Sequence, residues 1–580
     1  MRSCLIAASL FLVLAEAPVP ADESKLWGRE GELWSPTSRL PDFAFAGYHF
    51  GEAEPPTNPV EVSVKDFGAL GDGKTDDTDA FKRAMAEASG KVILVPHGTY
   101  VLSDRIEISG RGTVLRGESR DGSVLLFTKG LEDLYPAPTT NDGGLATSNW
   151  SWTGGLLSIV SQSLHSGPRV KVAGTAERGD FKLTLEDANS FKVGDFVNLL
   201  AVNDSEGSLV KYLYRGDTGD VSGLTGNRNT SQVNKIVAIE GNVVELVRPL
   251  RIAVKAEFGC TVTKVDPRTT ECGIEQLTLR FESGIYRAHF TERGFNGITI
   301  SSSAIHCWVR QVKMIDADSG IFGAGTHGLI DGVVFESKRK SLTPDNIKGH
   351  HGVDGGVDCL IQNVTFESPF FHDLSVSGGN VGNVFRRVRG KDVNMDQHRW
   401  GPYENLFTDI DLGEGNRPWL SGGGRNRGKH TAAGTTFWNL RSKRVVEMPY
   451  EEFGPPTLQF VGIRVRGNAT KEDAWWVESI ASAKLVPHDL YQAQLERRLK
   501  AGIRMFPSTE ATMPLAKHDA GAVSQSWTSV EGRVIQAKFG GLQGESVKLI
   551  TEAGQEYLVP LTKLDEASQQ QARSLAGVAQ

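Results

Sequence analysis

Cysteine is scarce in this 580-residue chain, with five residues at Cys4, Cys260, Cys272, Cys307 and Cys359. Their spacing fits no zinc-ligand pattern, so a metal-built fold is excluded. A Cys260–Cys272 bridge and buried free thiols both fit the spacing. Long apolar runs are missing as well. After residue 21 nothing approaches the ~18 consecutive apolar residues of a membrane span, so no membrane insertion is expected. Positive charge is not in excess either. Lys and Arg total 63 against 70 Asp and Glu, a net charge of −7, which argues against nucleic acid as the main partner. Helix-patterned windows are few. A chain this long outgrows one ordinary core unless the fold extends in one dimension.

Glycine is abundant, with 65 residues, as expected for many tight turns between short strands. Short alternating runs begin at Gln311, Gly332, Asn363, Arg387 and Asp409, at spacings of 21, 31, 24 and 22 residues. One strand per twenty-odd residues, with no helical pattern between, predicts a β-solenoid. Histidines keep phase with that period. His351, His372, His398 and His430 each precede a run by about one strand, so stacked coils would set them about 5 Å apart along one face. Such a row suits a groove for a polymer, and any one of the four has an equal claim to being a satisfied interior histidine.

The first 21 residues read as a secretory signal: Arg2, an apolar stretch from Leu5 to Ala15, and Val19-Pro20-Ala21 before Asp22. The mature protein is therefore expected to be secreted, extracellular or periplasmic. Residues 22–60, rich in proline and aromatics, are expected to form an arm across the first coils. From residue 61 a strand enters Asp66-Phe-Gly-Ala-Leu-Gly-Asp-Gly-Lys-Thr-Asp-Asp-Thr-Asp-Ala-Phe81, and Val95-Pro-His-Gly-Thr-Tyr100 follows. A short helix is expected from about Asp79 to Ala88, capped by one of residues 75–78. Helix capping also accounts for Asp72, Asp76, Asp77 and Asp79, whose spacing is not that of a calcium loop.

These two motifs closely resemble the opening of the pectate-lyase superfamily. The resemblance implies an all-β fold, a right-handed parallel β-helix over residues 61–500, whose first coil is closed by an N-terminal capping helix. That superfamily holds lyases, hydrolases, epimerases and tailspikes, so it specifies fold better than reaction. Residues 168–265 contain alternating segments that predict a small antiparallel insertion. The loop 130–150 and its neighbour Trp152 bring Tyr135, Trp150 and Trp152, which suit either stacking on sugar rings or packing of the loop itself. Residues 501–524 read as a linker. Residues 525–577 resemble a small SH3-like homology module, a β-barrel expected to serve as a spacer or to meet a cell-surface or protein partner. A capped solenoid is expected to be monomeric.

Two reactions fit a solenoid groove. β-Elimination from a uronate needs a base, a group to neutralise the carboxylate and an acid for the leaving oxygen. Hydrolysis needs two carboxylates across the glycosidic bond. The segment His398-Arg-Trp-Gly-Pro-Tyr-Glu-Asn405 offers His398 or Tyr403 as base and Arg399 for the carboxylate, with His372 one coil earlier to bind or protonate. His351, Asp354, Asp373, Arg425, Arg427, Lys429 and His430 are the expected substrate contacts, the last four from a basic, glycine-rich loop suited to carboxylated or sulfated glycans. Asp354, Asp358, Asp373, Asp396 and Glu404 are the acids available for hydrolysis. The superfamily's hydrolases carry an Asp-Asp pair and a Gly-His-Gly. This chain has Thr326-His-Gly328 and His351-Gly-Val-Asp354 but no Asp-Asp pair in its central coils. The expectation is a secreted lyase acting on an acidic, uronate-containing or sulfated polysaccharide. An inverting glycoside hydrolase is the alternative, with a uronate epimerase or a non-catalytic glycan-binding solenoid behind it. No cofactor is firmly implied, and calcium stays open.

Overall fold

The computed structural model describes residues 22–224, 229–506, 525–531, 533–543, 546–551 and 555–575. The secretory signal at 1–21 and most of the 501–524 linker lie outside the described residues. The chain divides into two units, Met1–Pro507 and Ser508–Gln580.

In the first unit the spaced runs mark one corner of a coil. Gln311, Asn363, Arg387 and Asp409 take φ between 51° and 55°, and Gly332 holds the same corner at 70°. A left-handed turn costs a residue with a β-carbon of order 1 kcal/mol. Parallel ladders on both sides of the corner offset it: Trp308–Arg310, Leu329–Asp331, Leu360–Gln362, Val384–Arg386 and residues 406–408 pair in sequence before it, and Lys313–Ile315, Val334–Glu336 and Thr365–Phe366 pair after it. A third, seven-stranded parallel sheet completes the coil. The result is the right-handed parallel β-helix that the period and the opening motif predicted. Its interior is set by the same register. Phe385, Phe407, Phe437 and Phe460 are successive partners, and their buried rings stack 4.7, 5.3 and 5.1 Å apart, the strand spacing itself.

The helix Thr78–Glu87 closes the first coil with Ala80, Phe81, Ala84 and Met85 against the core. Asp77 stands at its N-cap without capping it, because its carboxylate accepts the Leu70 and Gly71 amides at 2.7 and 3.0 Å. Asp72 accepts the amides of Lys74 and Thr75. The arm packs Trp27, Leu40, Phe43 and Tyr48, together with Tyr491 and Leu495 of the helix Leu490–Lys500, over the outer side chains of Trp308, Leu360, Leu406 and Trp438. One outer face is thus covered. Among the described residues, no helix is long and apolar enough to cross a membrane. Cys260, Cys272, Cys307 and Cys359 are buried free thiols, so no Cys260–Cys272 bridge forms.

Strands between His165 and Val265 close into a six-stranded antiparallel barrel. The barrel is tied to the β-helix by charge. Asp358 accepts two bonds from Arg248, at 2.8 and 3.0 Å, and further bonds from Arg251, all buried. Burial alone would raise the Asp358 carboxyl, but the two guanidinium groups hold it well below the carboxylate range. Asp358 is therefore committed to the barrel anchor and is not free to act as an acid on substrate.

The second unit is a four-stranded antiparallel meander, Gln525–Thr528, Val534–Gln543, Ser546–Ile550 and Glu556–Pro560, followed by the helix Glu566–Leu575. Trp527, Val547, Leu549, Leu561 and Ala572 form its core. Among the described residues these strands pair as a four-stranded sheet in sequence order, which leaves the SH3-like barrel an expectation.

Removing one partner of a fully buried ion pair leaves the others unpaired. Asp358→Asn should therefore destabilise the first unit by about 3–5 kcal/mol, read as a lower denaturation midpoint. An unchanged midpoint would show that the barrel is held by its apolar contacts alone.

Candidate active site

The seven-stranded sheet runs Ile106–Ile108, Leu157–Ile159, Asn296–Ile305, Ser319–Thr326, His351–Asp354, His372–Val376 and Met395–Gln397. Register puts His351 opposite His372, with ring centroids 5.0 Å apart. The same register puts Asp354 opposite Ser375 and Ser375 opposite Asp396. His398 lies one residue beyond its strand, where its amide donates to the Val376 carbonyl at 2.7 Å. Its ring still comes to 5.4 Å from His372 and 5.8 Å from His351. His350 adds a ring 4.2 Å from His351, and His289 one 5.6 Å from His350. These five histidines line a pocket of about 590 Å³ together with Trp152, Phe290, Phe371, Trp400, Arg427 and Asp142.

Charge in the pocket is organised by Asp396. His398 Nδ1–H donates to Asp396 Oδ2 at 2.7 Å, and the Gly422 amide donates to Oδ1 at 2.8 Å. Ser375 Oγ donates to Oδ2 at 3.3 Å. Burial opposes ionisation of Asp396, but His372 and His398 hold its carboxyl well below the usual range. Burial would lower His398 too; the charge and hydrogen bond of Asp396 outweigh it and raise this imidazole above the ordinary histidine value. The other rings go the opposite way. Burial brings His372 down to about 4 and holds His350 and His351 well below normal, helped in the latter two by neighbouring histidines. Burial pushes Asp354 up to about 7. Near neutrality the pocket thus holds one basic imidazole, several neutral ones and one fixed carboxylate. Gly422 makes the close approach feasible, since a β-carbon there would lie 2.5 Å from His398 Cε1.

Of the expected site residues, His351, His372, His398 and Arg427 line the pocket, and Asp354 lies beside it, 3.9 Å from His351 Nδ1. The others lie elsewhere. Arg399, Trp400 and Gly401 take consecutive φ of 61°, 67° and 69°, which turns the chain away from the pocket after His398. Arg399 is consequently buried against the Gly428 carbonyl, His430 and Glu452. Tyr403 is buried at the barrel junction, hydrogen-bonded to Thr230. His430 donates from Nδ1 to the Gln397 carbonyl at 2.9 Å, so its Nε2 accepts from Arg399 and Tyr450. Asp373 accepts the Phe370 and Asn394 amides and pairs with Arg417 at 2.5 Å. Lys429 pairs with Asp217 at 2.6 Å, and Arg425 is exposed outside the lining. The four-membered histidine row is therefore corrected: His430 leaves it, and His350 and His289 enter.

Asp396 was visible only as one acid among several, although Asp396 and His398 two apart at a strand end are a usable signal of a shared face. His289 comes from the irregular stretch between Phe281 and Asn296, where no period points to it. Of the three aromatics noted around the 130–150 loop, only Trp152 reaches the pocket; Trp150 packs on the core and donates to the Tyr135 carbonyl.

Residues 61–161 match the family described as rhamnogalacturonase A/epimerase, pectate lyase-like, in agreement with the resemblance carried by Asp66–Phe81 and Val95–Tyr100. The chain is similar to the pre-neck appendage protein of Bacillus phage B103, 46% identical over 66 residues, covering 11% of this chain and 7% of that protein. It is similar to a polygalacturonase of Persea americana, 49% identical over 59 residues, covering 10% and 13%. The chain thus spans only about a tenth of the curated relatives it matches. Among solved structures it is similar to the tailspike protein gp49 of Pseudomonas phage LKA1, 14% identical with a TM-score of 0.40, over 69% of this chain and 67% of that one.

With a chelator present, nuclear magnetic resonance titration should find His398 above the ordinary 6.5. Asp396→Asn should bring it down, because the charge that favours the imidazolium is gone. A His398 value unchanged by that substitution would refute the dyad.

Proposed function

We propose that this pectate-lyase-like β-helix is a carbohydrate-active enzyme that cleaves an acidic polysaccharide by β-elimination, with His398 as base. The observation that carries the reading is the Asp396–His398 pair at the pocket wall, with Nδ1–H on the carboxylate and the other ring nitrogen left for substrate. Asp396 positions the ring and fixes its tautomer, as a carboxylate behind a catalytic imidazole does. His398 Nε2 takes the proton beside the uronate carboxylate, the electron pair forms the C=C bond, and the linkage oxygen departs. The resulting imidazolium can return that proton to the leaving oxygen, while His350, His351 and His372 are held neutral. Arg427, 4.7 Å above the Trp400 ring and 2.9 Å from Asp142, is the pocket guanidinium suited to the substrate carboxylate. Trp152, Phe290 and Trp400 offer apolar faces to sugar rings.

Hydrolysis is the second reading, favoured by one observation. Asp354, pushed up to about 7 by burial, keeps a proton more readily than an ordinary carboxyl and lies two strands from the ionised Asp396, with Ser375 between them, so the pocket holds the two carboxyls that hydrolysis needs. The matched segment of a polygalacturonase agrees with either reaction on a uronate polymer. Secretion fits the same role.

Incubation with a panel of acidic polysaccharides should generate ultraviolet absorbance of unsaturated uronate together with new reducing ends. His398→Ala should lower kcat by about 10²–10⁴-fold. Reducing ends without absorbance would replace elimination by hydrolysis and turn attention to Asp354. Binding with neither signal would make the chain a glycan-binding solenoid. With a chelator present, kcat/KM should fall as pH drops through the raised His398 value, since only the neutral ring is a base. Gly422→Ala, which drives a methyl group into His398, should cost about tenfold to a hundredfold in kcat with little change in melting temperature.

A further inference from the structure

We propose that His372, Asp396 and His398 form a binding site for a first-row transition-metal ion such as Zn²⁺, opening on the pocket. One donor atom from each lies within 4.8 Å of the others, the one such group among the described residues. His372 Nδ1 stands 3.3 Å from Asp396 Oδ2. Donors at 2.0–2.1 Å around a tetrahedral ion are about 3.4 Å apart, so this pair is already at coordination distance. His398 Nδ1, at 2.7 Å from the same oxygen, needs only a small outward shift.

A second observation points to a ligand. The His372 side chain is only 4% exposed, and its Nδ1 has no hydrogen-bond partner, although a carboxylate oxygen faces it. Leaving a buried nitrogen unsatisfied is unfavourable, and a cation between it and the carboxylate removes that cost. Two imidazole nitrogens and one carboxylate suit zinc, nickel or cobalt, whereas calcium prefers an all-oxygen shell. The ligand set therefore favours a transition metal over the calcium that the sequence left open. Three protein donors leave a position for solvent. The Gly422 amide and Ser375 Oγ, both bonded to Asp396, supply the outer contacts that fix a ligating carboxylate.

This site goes beyond the elimination reading and is antagonistic to it. A metal on His398 Nδ1 takes the lone pair there and moves the ring proton to Nε2, so the ring no longer accepts a proton. Zinc is then expected to inhibit elimination reversibly, and a chelator to restore it.

The test is direct binding without substrate. Full-length, tag-free protein stripped with a chelator is titrated with Co²⁺, read by visible d–d absorption, and then with Zn²⁺ as competitor. The expected result is one equivalent of Co²⁺ in a low-coordinate site, displaced by Zn²⁺ and not by Ca²⁺. Affinity should fall at least about tenfold in His372→Gln and in His398→Ala. His398 is 29% exposed at the side chain, so its loss leaves a folded control, checked by circular dichroism. Absence of the absorption band, or wild-type affinity in folded His398→Ala, would overturn the site. Because no substrate is used, failure of the elimination reading leaves this result unaffected, and failure of binding leaves the chelated enzyme's activity unaffected.

Discussion

Parallel pairing of successive coils is the constraint on which the pocket depends. Each coil must turn through a left-handed corner, at Gln311, Gly332, Asn363, Arg387 and Asp409 in turn, and that conformation is held only because the strands on both sides pair with the coils above and below. The same pairing brings Phe385, Phe407, Phe437 and Phe460 into one stack and aligns His351 with His372. Core and site share one register, so a slip that misplaced the histidines would also break the aromatic stack.

Within that frame, burial and a single carboxylate divide the histidines by role. Burial alone makes an imidazole a poor base, as for His350, His351 and His372. Asp396 reverses the effect for His398 through a 2.7 Å hydrogen bond. The carboxylate is itself kept ionised by the ring it serves and by the amide of Gly422. A buried charge with so many donors is stable enough to persist, and it is the feature that turns a row of aromatic rings into a place where a proton, or a metal ion, is held.

The arm and the barrel act at a distance from this chemistry. The arm covers one outer face, so that Trp308, Leu406 and Trp438 point out of the coil and remain buried. The barrel reaches the β-helix through Asp358 and the junction around Tyr403. Two residues with the chemistry of a site, an aspartate and a tyrosine, are used there for anchorage. Chemistry alone does not distinguish these uses, because an ion pair that fixes a domain and one that serves a substrate need the same groups.

The amino-acid sequence by itself determined the β-helix, its period and its capped N-terminal end. Those are local or repeating properties: a turn residue at a fixed interval, alternating apolar positions, and the motif Asp66–Phe81. It also picked out His351, His372 and His398, whose phase follows the repeat. Tertiary structure alone decided the rest. Consecutive positive φ at Arg399, Trp400 and Gly401 sends Arg399 and Tyr403 out of the pocket although both are close neighbours of His398 in sequence. Loops of different length bring in His289 from an irregular stretch and leave His430 beneath Tyr450. Period fixes which residues share a face, but the path of each loop between strands fixes which side chains meet, and that path is set by packing against parts of the chain far away in sequence.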